Sequence, residues 1–385
     1  MIAVRREKIP GERRVAATPE TVQQLIGLGH AVQVEKGAGE SAGYRDSEYA
    51  DAGAKLVPTI DPKKVDVLVH VRPLTPAEAK ALTPGTVTIG LGSPASELPT
   101  VKALRDAKVT AFALELVPRI SRAQSMDALT SQALVAGYRC VLEAATRLPR
   151  FFPLYMTAAG TIPPAKVLVL GAGVAGLQAI ATAKRLGAKV SANDVRAASA
   201  DEVQSMGGTF IHLDLDAADA SGGYAKELGA DRAALQRELL TPHVAAADVI
   251  ITTAQIPGRP APRLVTTKMM AGMRPGSVVV DLAAESGGNV EGSVAGKDVD
   301  VKVDGGTITL VGMKDAASTM PYDASRLYAK NVANLLALIT HDGAIAPDYA
   351  DEVVAGACLT RDGEVQHAPT AEALASTGST TGRTK

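Results

Sequence analysis

Tryptophan is absent from this chain, and four phenylalanines and eight tyrosines bring the aromatics to only 3% of 385 residues. Its core must therefore be built from Ala, Val, Leu and Ile. Cysteine is nearly absent too. Cys140 and Cys358 lie far apart and match no metal-ligand spacing, so no metal site is expected and both read as buried thiols in a reducing compartment. No charge of one sign dominates: 40 Lys and Arg stand against 41 Asp and Glu, a net charge of −1. With no Lys/Arg-rich tract, neither nucleic acid nor an anionic membrane is an expected partner. No apolar run reaches the roughly 18 residues of a membrane span, so no direct membrane insertion is expected. The start, Met1-Ile-Ala-Val-Arg-Arg-Glu-Lys8, lacks the apolar stretch of a signal peptide. These absences point to a soluble, cytoplasmic protein.

What is present centres on Pro163 to Arg196. Lys166-Val-Leu-Val-Leu170 is a short apolar run, as in a strand buried on both faces of a parallel sheet. Gly171-Ala-Gly-Val-Ala-Gly176 follows, then a helix from Leu177 to Leu186 that Gly187 can end. Lys189 to Asn193 is a second strand with Asp194 at its end. Gly171 permits a tight turn, Gly173 lets backbone approach a pyrophosphate, and Gly176 lets helix pack on strand. The free N–H groups of the helix start would face the phosphates. Asp194 would accept hydrogen bonds from ribose hydroxyls, which favours NAD(H) over NADP(H). Glycines alone are weak evidence, whereas strand, turn, helix, strand and acid in register make a dinucleotide site.

At this length two domains are the default. Strands are expected at Ile2–Arg5, Ala31–Glu35, Val65–Val71, Thr86–Leu91 and Val109–Leu114. Helices are expected after Thr18 and Pro19, near Ser47–Ala52, from Pro76 and over Glu97–Asp106. That alternation predicts a doubly wound parallel α/β sheet. Asp127–Arg147 reads as a long helix carrying the chain into the next domain, and Phe151–Pro164 as a Pro-punctuated connector. The second half adds strands at Thr209–Leu213, Val249–Thr253, Val278–Ala283, Val301–Val303 and Thr309–Gly312, with a helix around Arg232–Leu240. Asp323–Ile339 is helical and fits a return to the first domain. The prediction is two doubly wound, Rossmann-like domains joined by long helices, with a ligand cleft between them. The first takes residues 1–135 and 322–370, and the second, NAD-binding, takes 136–321. Asp348–Arg361 is the last packed part, and the Ser/Thr/Gly-rich tail 371–385 is expected to be disordered.

Pro118–Gln132 is the other candidate segment, rich in groups that can orient a carboxamide. Gln124, Asp127 and Thr130 are three apart and could share one helical face if the helix starts a turn early. The competing reading is a polar loop with Ser125 capping a helix.

Gly11-Glu-Arg-Arg-Val-Ala-Ala-Thr-Pro-Glu20 resembles the N-terminal signature shared by alanine dehydrogenases and the soluble NAD(H)-binding component of proton-translocating transhydrogenase. Arg119–Gln132, Ala158–Pro164, Gly171–Gly187, Asp194-Val-Arg196, Gly222–Glu227 and Ile251–Gly258 resemble the transhydrogenase branch, so the likeness runs from Met1 to about Pro369. It implies that Arg119, Gln124, Asp127 and Thr130 surround the nicotinamide, Thr130 standing where Ser is usual. Ile120, Ser121 and Arg122 fall in the same matched segment. Val174, Asp194, Val195, Arg196, Gly223, Gln236 and Gln255 match further dinucleotide positions. Tyr224 matches the tyrosine of a mobile loop that folds over bound nucleotide.

The resemblance also carries absences. Alanine dehydrogenases place a catalytic lysine and histidine where this chain has Leu68–Pro73 and Ile89–Ser93. His70 falls one residue off and reads as a half-buried strand histidine. Arg14, which matches a substrate-carboxylate position in the dehydrogenases, reads as a structural remnant. Oxidising an amino acid needs a general base, whereas passing a hydride between two nicotinamides needs only rigid placement. Val311–Thr319 departs from the transhydrogenase pattern, lacking its usual Pro and Arg. The implied activity is hydride transfer from NADH to NADP+ on an NADP(H)-binding subunit, coupled to proton movement by membrane-spanning subunits. The chain would be a homodimer peripheral to the inner membrane, in the separate-subunit form. An alanine-dehydrogenase-like enzyme and a catalytically silent NAD-binding regulator are the competing readings.

Overall fold

The structure is a computed structural model and describes residues 1–196, 198–214, 229–256 and 259–379. It divides into two compact units, Met1–Gln132 with Ala317–Lys385, and Ala133–Ala316. Among the described residues, no helix is long and apolar enough to cross a membrane.

The first unit is built on a sheet whose spatial order is Glu364–Val365, Cys358–Arg361, Thr110–Ala113, Val87–Gly90, Val67–Val69, Ile2–Val4, Val32–Glu35 and Lys55–Val57. All neighbours from Thr110–Ala113 to Lys55–Val57 pair in parallel, and only the Cys358 and Glu364 strands pair antiparallel. Alternation sends Ile2, Val4, Val69, Ile89 and Phe112 to one face, against Tyr328, Leu335 and Leu336 of the helix Pro321–Leu338. Ala3, Leu68 and Ala111 go to the other, against Val101 and Leu104 of the helix Leu98–Asp106. Both faces are covered, as parallel sheets require. The helix Pro19–Gly27 begins as its sequence predicts, with Thr18 and Thr21 exchanging backbone-to-hydroxyl bonds in a reciprocal cap.

The second unit orders its strands Thr209–Phe210, Lys189–Asn193, Lys166–Leu170, Val249–Thr252, Val278–Asp281, Gly306–Gly312 and Asp298–Val303. Val167 and Val169 pack on Ile180 and Ala183 of the helix Val174–Arg185. Leu168 and Leu170 pack on Leu240 and Val244 of the helix Ala230–Ala246. The strand order reverses beside Lys166–Leu170, so the glycine turn leaves the sheet at its topological switch point, where open α/β sheets bind ligands.

Several expectations need correcting. Residues 371–379 do not form a disordered tail. Ala368–Ser379 is a helix, Thr370 is buried, and Leu374 packs on the cluster holding Val101 and Leu104. Burial of Thr370 and packing of the partly buried Leu374 outweigh the Ser/Thr/Gly composition. Phe151–Pro164 contains a two-stranded hairpin, Tyr155–Thr157 with Gly160–Ile162, rather than a plain connector. Val301–Val303 belongs to the longer strand Asp298–Val303, antiparallel to Gly306–Gly312. The strand at Thr209 ends at Phe210, and the helix expected around Arg232–Leu240 runs through Pro242 to Ala246.

Candidate functional site

The glycine turn has the geometry its spacing predicts. Gly171 has φ +98, a conformation that L side chains rarely adopt. A Cβ on Gly176 would lie 1.9 Å from the Gly171 carbonyl oxygen, so only glycine lets the helix start so close to the turn. A Cβ on Gly173 would meet no heavy atom within 4 Å, which leaves that side of the backbone open. Gly173 is also the N-cap of Val174–Arg185 and supplies no side-chain cap. The first N–H groups of the helix thus have no side-chain partner at the cap, and the dipole there favours an anion. This cradle fits a dinucleotide pyrophosphate. Val174, the first helical residue, is 38% exposed at its mouth.

Asp194 stands at the end of Lys189–Asn193 as expected, but its carboxylate is already engaged. One oxygen accepts the Ala172 N–H at 2.7 Å. The other accepts the Arg196 N–H at 2.8 Å and the Arg196 Nε–H at 3.1 Å. The Arg196 guanidinium also donates to the Ala172 carbonyl oxygen, so it bridges acid and glycine turn. Arg196 Nη2 adds a fourth, longer bond at 3.4 Å to the oxygen that Ala172 holds. A carboxylate offers about four lone-pair sites, so a ribose hydroxyl must displace the Arg196 side chain. The sequence spacing puts the acid at the strand end, where it stands, but gives no sign of the arginine's grip on it. Val195 is partly buried beside them.

Elsewhere in this unit Gln236 is buried on the helix Ala230–Ala246 and Gln255 is exposed after the strand Val249–Thr252. The segment that holds Gln255 is anchored by Asn289, a residue no sequence pattern singled out. Its amide accepts from Ala254 N–H at 3.0 Å and donates at 2.8 Å to the carbonyls of Ala254 and Pro262. Gly223 and Tyr224 lie outside the described residues.

In the first unit, Gln124, Asp127 and Thr130 do not share one helix. Ser121–Met126 is a 3-10 helix, Asp127 is extended at φ −75 and ψ 92, and the α-helix Ala128–Arg147 begins after it. The aspartate competes with the backbone for hydrogen bonds and so breaks the chain there. Its carboxylate accepts the Thr130 N–H at 2.9 Å and the Thr130 hydroxyl at 2.7 Å. Asp127, not Ser125, is the cap. Arg119 and Gln124 are exposed, and Ile120 is partly buried. Ser121 and Arg122 are exposed as well, and Arg122 holds Asp351 with two nitrogens at 2.8 Å. Hydrogen bonds from Arg122 and from backbone N–H groups bring the Asp351 carboxyl down to about 2.

The loop leaving the central strand Ile2–Val4 gathers a charged cluster. Glu12 holds Arg14 with both oxygens, at 2.7 and 2.8 Å, and accepts from Arg72 at 2.7 Å. Burial raises the Glu12 carboxyl, but Arg14 and Arg72 outweigh it and bring it down to about 2. Arg14 also donates to Gln132 at 2.8 Å. His70, expected to be half-buried, is 5% exposed. Its Nδ1 lies 2.7 Å from the Arg72 carbonyl oxygen, which makes it the donor. A Cβ on Gly90 would fall 2.3 Å from that ring, so the glycine backbone seals it in. Burial, with the Arg5 charge, pushes the imidazole down to about 3. Both cysteines are buried.

Two family models match: Alanine dehydrogenase/PNT, N-terminal domain, over residues 3–136, and Alanine dehydrogenase/PNT, C-terminal domain, over residues 140–368. The chain is 47% identical over 378 residues to the first of the chains that make up NAD(P) transhydrogenase subunit alpha in Rhodospirillum rubrum, covering 95% of this chain and 97% of that one. It is 33% identical over 303 residues to alanine dehydrogenase of Bacillus subtilis, covering 76% of this chain and 72% of that one. The crystal structure of transhydrogenase from Sinorhizobium meliloti superposes with a TM-score of 0.82 at 44% identity, over 94% of this chain and 98% of that one. With both halves matched and its greater likeness to the transhydrogenase subunits, the chain belongs to the alanine dehydrogenase/PNT family.

Proposed function

We propose that this protein is the NAD(H)-binding subunit of a proton-translocating NAD(P) transhydrogenase. It gives the hydride of NADH to NADP+ held by a separate NADP(H)-binding subunit, and membrane-spanning subunits couple that transfer to proton movement. The protein sits peripherally at the cytoplasmic side of the inner membrane through these partners.

The observation that carries this reading is the state of the acid–base groups. Oxidation of an amino acid needs a base within reach of its amine. His70 is sealed, neutral and commits its Nδ1–H to a carbonyl, while the Glu12 carboxylate is held by both Arg14 and Arg72. Asp127 is committed to Thr130. Arg14 here serves Glu12 and Gln132, consistent with a structural role. Placement of a ring needs no proton transfer, and exposed Arg119 and Gln124 beside the fixed pair Asp127–Thr130 suit it.

Bound NADH supplies the hydride, and this chain's residues do the holding. Gly171, Gly173, Gly176 and Val174 cradle the pyrophosphate, and Asp194, Val195 and Arg196 meet the adenosine ribose. Gly223, Tyr224, Gln236 and Gln255 contact further parts of the dinucleotide. Arg119, Gln124, Asp127 and Thr130 orient the nicotinamide, with Ile120, Ser121 and Arg122 beside them. A homodimer is part of the proposal, supported by the apolar side chains left exposed around the hairpin: Phe151 at 52%, Leu154 at 50%, Tyr155 at 46% and Met156 at 75%.

The test is reconstitution. The protein is mixed with NADH and an NADP(H)-binding subunit carrying NADP+, and NADPH formation is followed beside an assay for NADH formation from NAD+ and alanine. Transfer in the first with none in the second supports the reading, and the reverse overturns it.

A further inference from the structure

The 3-10 helix Ser121–Met126 ends one residue before Asp127, and its last carbonyls face the usual difficulty of a helix end, the lack of an intrahelical donor. At Ser125 that carbonyl is satisfied from another element. Asn331 donates its Nδ2 to the Ser125 oxygen at 2.8 Å, and Asn334 donates to the same oxygen at 3.0 Å. The two asparagines are three apart on Pro321–Leu338, so one helix face presents both donors to one acceptor.

Asn331 is the stronger of the pair. It is 5% exposed, and the other end of its amide is also used: Oδ1 accepts the Ser131 hydroxyl at 2.7 Å. Ser131 in turn accepts from Gln132 Nε2 at 3.1 Å, and Gln132 accepts from Arg14. Gln132 Nε2 also reaches the Ala324 carbonyl oxygen at 3.1 Å, on the same Pro321–Leu338 helix. A continuous run of hydrogen bonds therefore ties the buried Glu12–Arg14 pair through Gln132 and Ser131 to Asn331, and through it to the backbone between Gln124 and Asp127. A buried amide that both donates and accepts is directional, and it fixes the group it holds in one place.

We propose that Asn331 is a positioning residue for hydride transfer: by pinning the Ser125 carbonyl it sets where Gln124 and Asp127 hold the nicotinamide ring. This rests on the function proposed above. Asn331 touches no substrate in this role and acts through the backbone it clamps. Losing it lets the short Ser121–Met126 turn shift, while the glycine turn and Asp194 in the other unit keep their own geometry. The expected signature is thus a loss of transfer rate at nearly unchanged nucleotide affinity.

The experiment compares full-length wild type with Asn331→Ala, Asn331→Asp, Asn334→Ala and, as reference, Gln124→Asn. Each is mixed with an NADP(H)-binding subunit for stopped-flow transfer and titrated separately with NADH by calorimetry. Asn331→Asp keeps the volume and the acceptor for Ser131 and loses the donor to Ser125, so it carries the test if the alanine variant fails to fold. Transfer should fall roughly ten- to a hundredfold in both Asn331 variants, since a displacement near 1 Å can cost on the order of a hundredfold. NADH affinity should stay within about threefold by the same argument, and Asn334→Ala should show a smaller loss. Wild-type transfer in both Asn331 variants while Gln124→Asn is slow overturns the inference and leaves the functional reading intact. Rate and affinity falling together would also overturn it, as general damage to the unit. If wild type itself transfers no hydride, the functional reading fails and the inference with it.

Discussion

Asp127 and Thr130 are joined twice, the carboxylate accepting both the threonine hydroxyl at 2.7 Å and its backbone N–H at 2.9 Å. The pair caps the start of Ala128–Arg147 and fixes the direction in which both side chains point. Thr130→Ser keeps both bonds and should leave stability and transfer close to wild type. Thr130→Val keeps the branched shape and the N–H bond but removes the hydroxyl. A hydrogen bond to a charged group contributes about 1.5–3 kcal/mol, so the valine variant should melt lower and transfer at least tenfold more slowly. Equal behaviour of the serine and valine variants in melting and stopped-flow assays would remove the hydroxyl from the account.

Nucleotide choice rests on Asp194. NADH should bind more tightly than NADPH, because a 2′-phosphate would meet a carboxylate. Asp194→Ala should weaken NADH about tenfold or more, from a charged hydrogen bond of roughly 1.5–3 kcal/mol, and narrow the gap to NADPH. Since Arg196 grips the same carboxylate, Arg196→Ala should leave that gap wide. Calorimetry giving equal affinities for NADH and NADPH in wild type would refute the assignment.

Acid should destabilise the first unit in two windows. The His70 imidazole lies at about 3 in the folded protein against an ordinary 6.5. A depressed value means that the unfolded chain takes up a proton the folded one refuses. Stability is therefore whole above pH 6.5 and is lost as pH falls toward 3, at about 1.4 kcal/mol per pH unit at most. Glu12, at about 2 against 4.5, adds a second loss that begins only below pH 4.5. Between pH 6.5 and 4.5 His70 should add to the slope beside His30 and His367, which burial also lowers, and against Glu115, which burial raises, so His70→Asn should make the slope shallower in urea unfolding. An unchanged slope in that variant would contradict the burial argument.

The glycine turn was legible because each position is forced by backbone sterics, which a sequence records directly. Gly171 needs a positive φ and Gly176 has no room for a Cβ. Asp194 was legible as a residue at a strand end, but not its partners, because the bond to Ala172 joins residues 22 apart. The spacing of Gln124, Asp127 and Thr130 suggested one helical face. Asp127 instead spends its carboxylate on capping, a competition between side chain and backbone that periodicity does not register. The Ala368–Ser379 helix was hidden for a different reason: its composition reads as disorder, and Leu374 packs on the cluster that holds Val101 and Leu104, far away in sequence. Asn331 and Asn289 carried no signal at all, since a buried asparagine is recognised only by what surrounds it.

The central claim is that the hydride passes from one nicotinamide to another without a proton-transfer step in this protein. NADH deuterated on both faces of C4 is mixed with the protein and an NADP(H)-binding subunit carrying NADP+ in ordinary water, and the NADPH formed is analysed by mass spectrometry. The account predicts that every NADPH carries one deuterium at C4. NADPH bearing solvent hydrogen at C4 would contradict it.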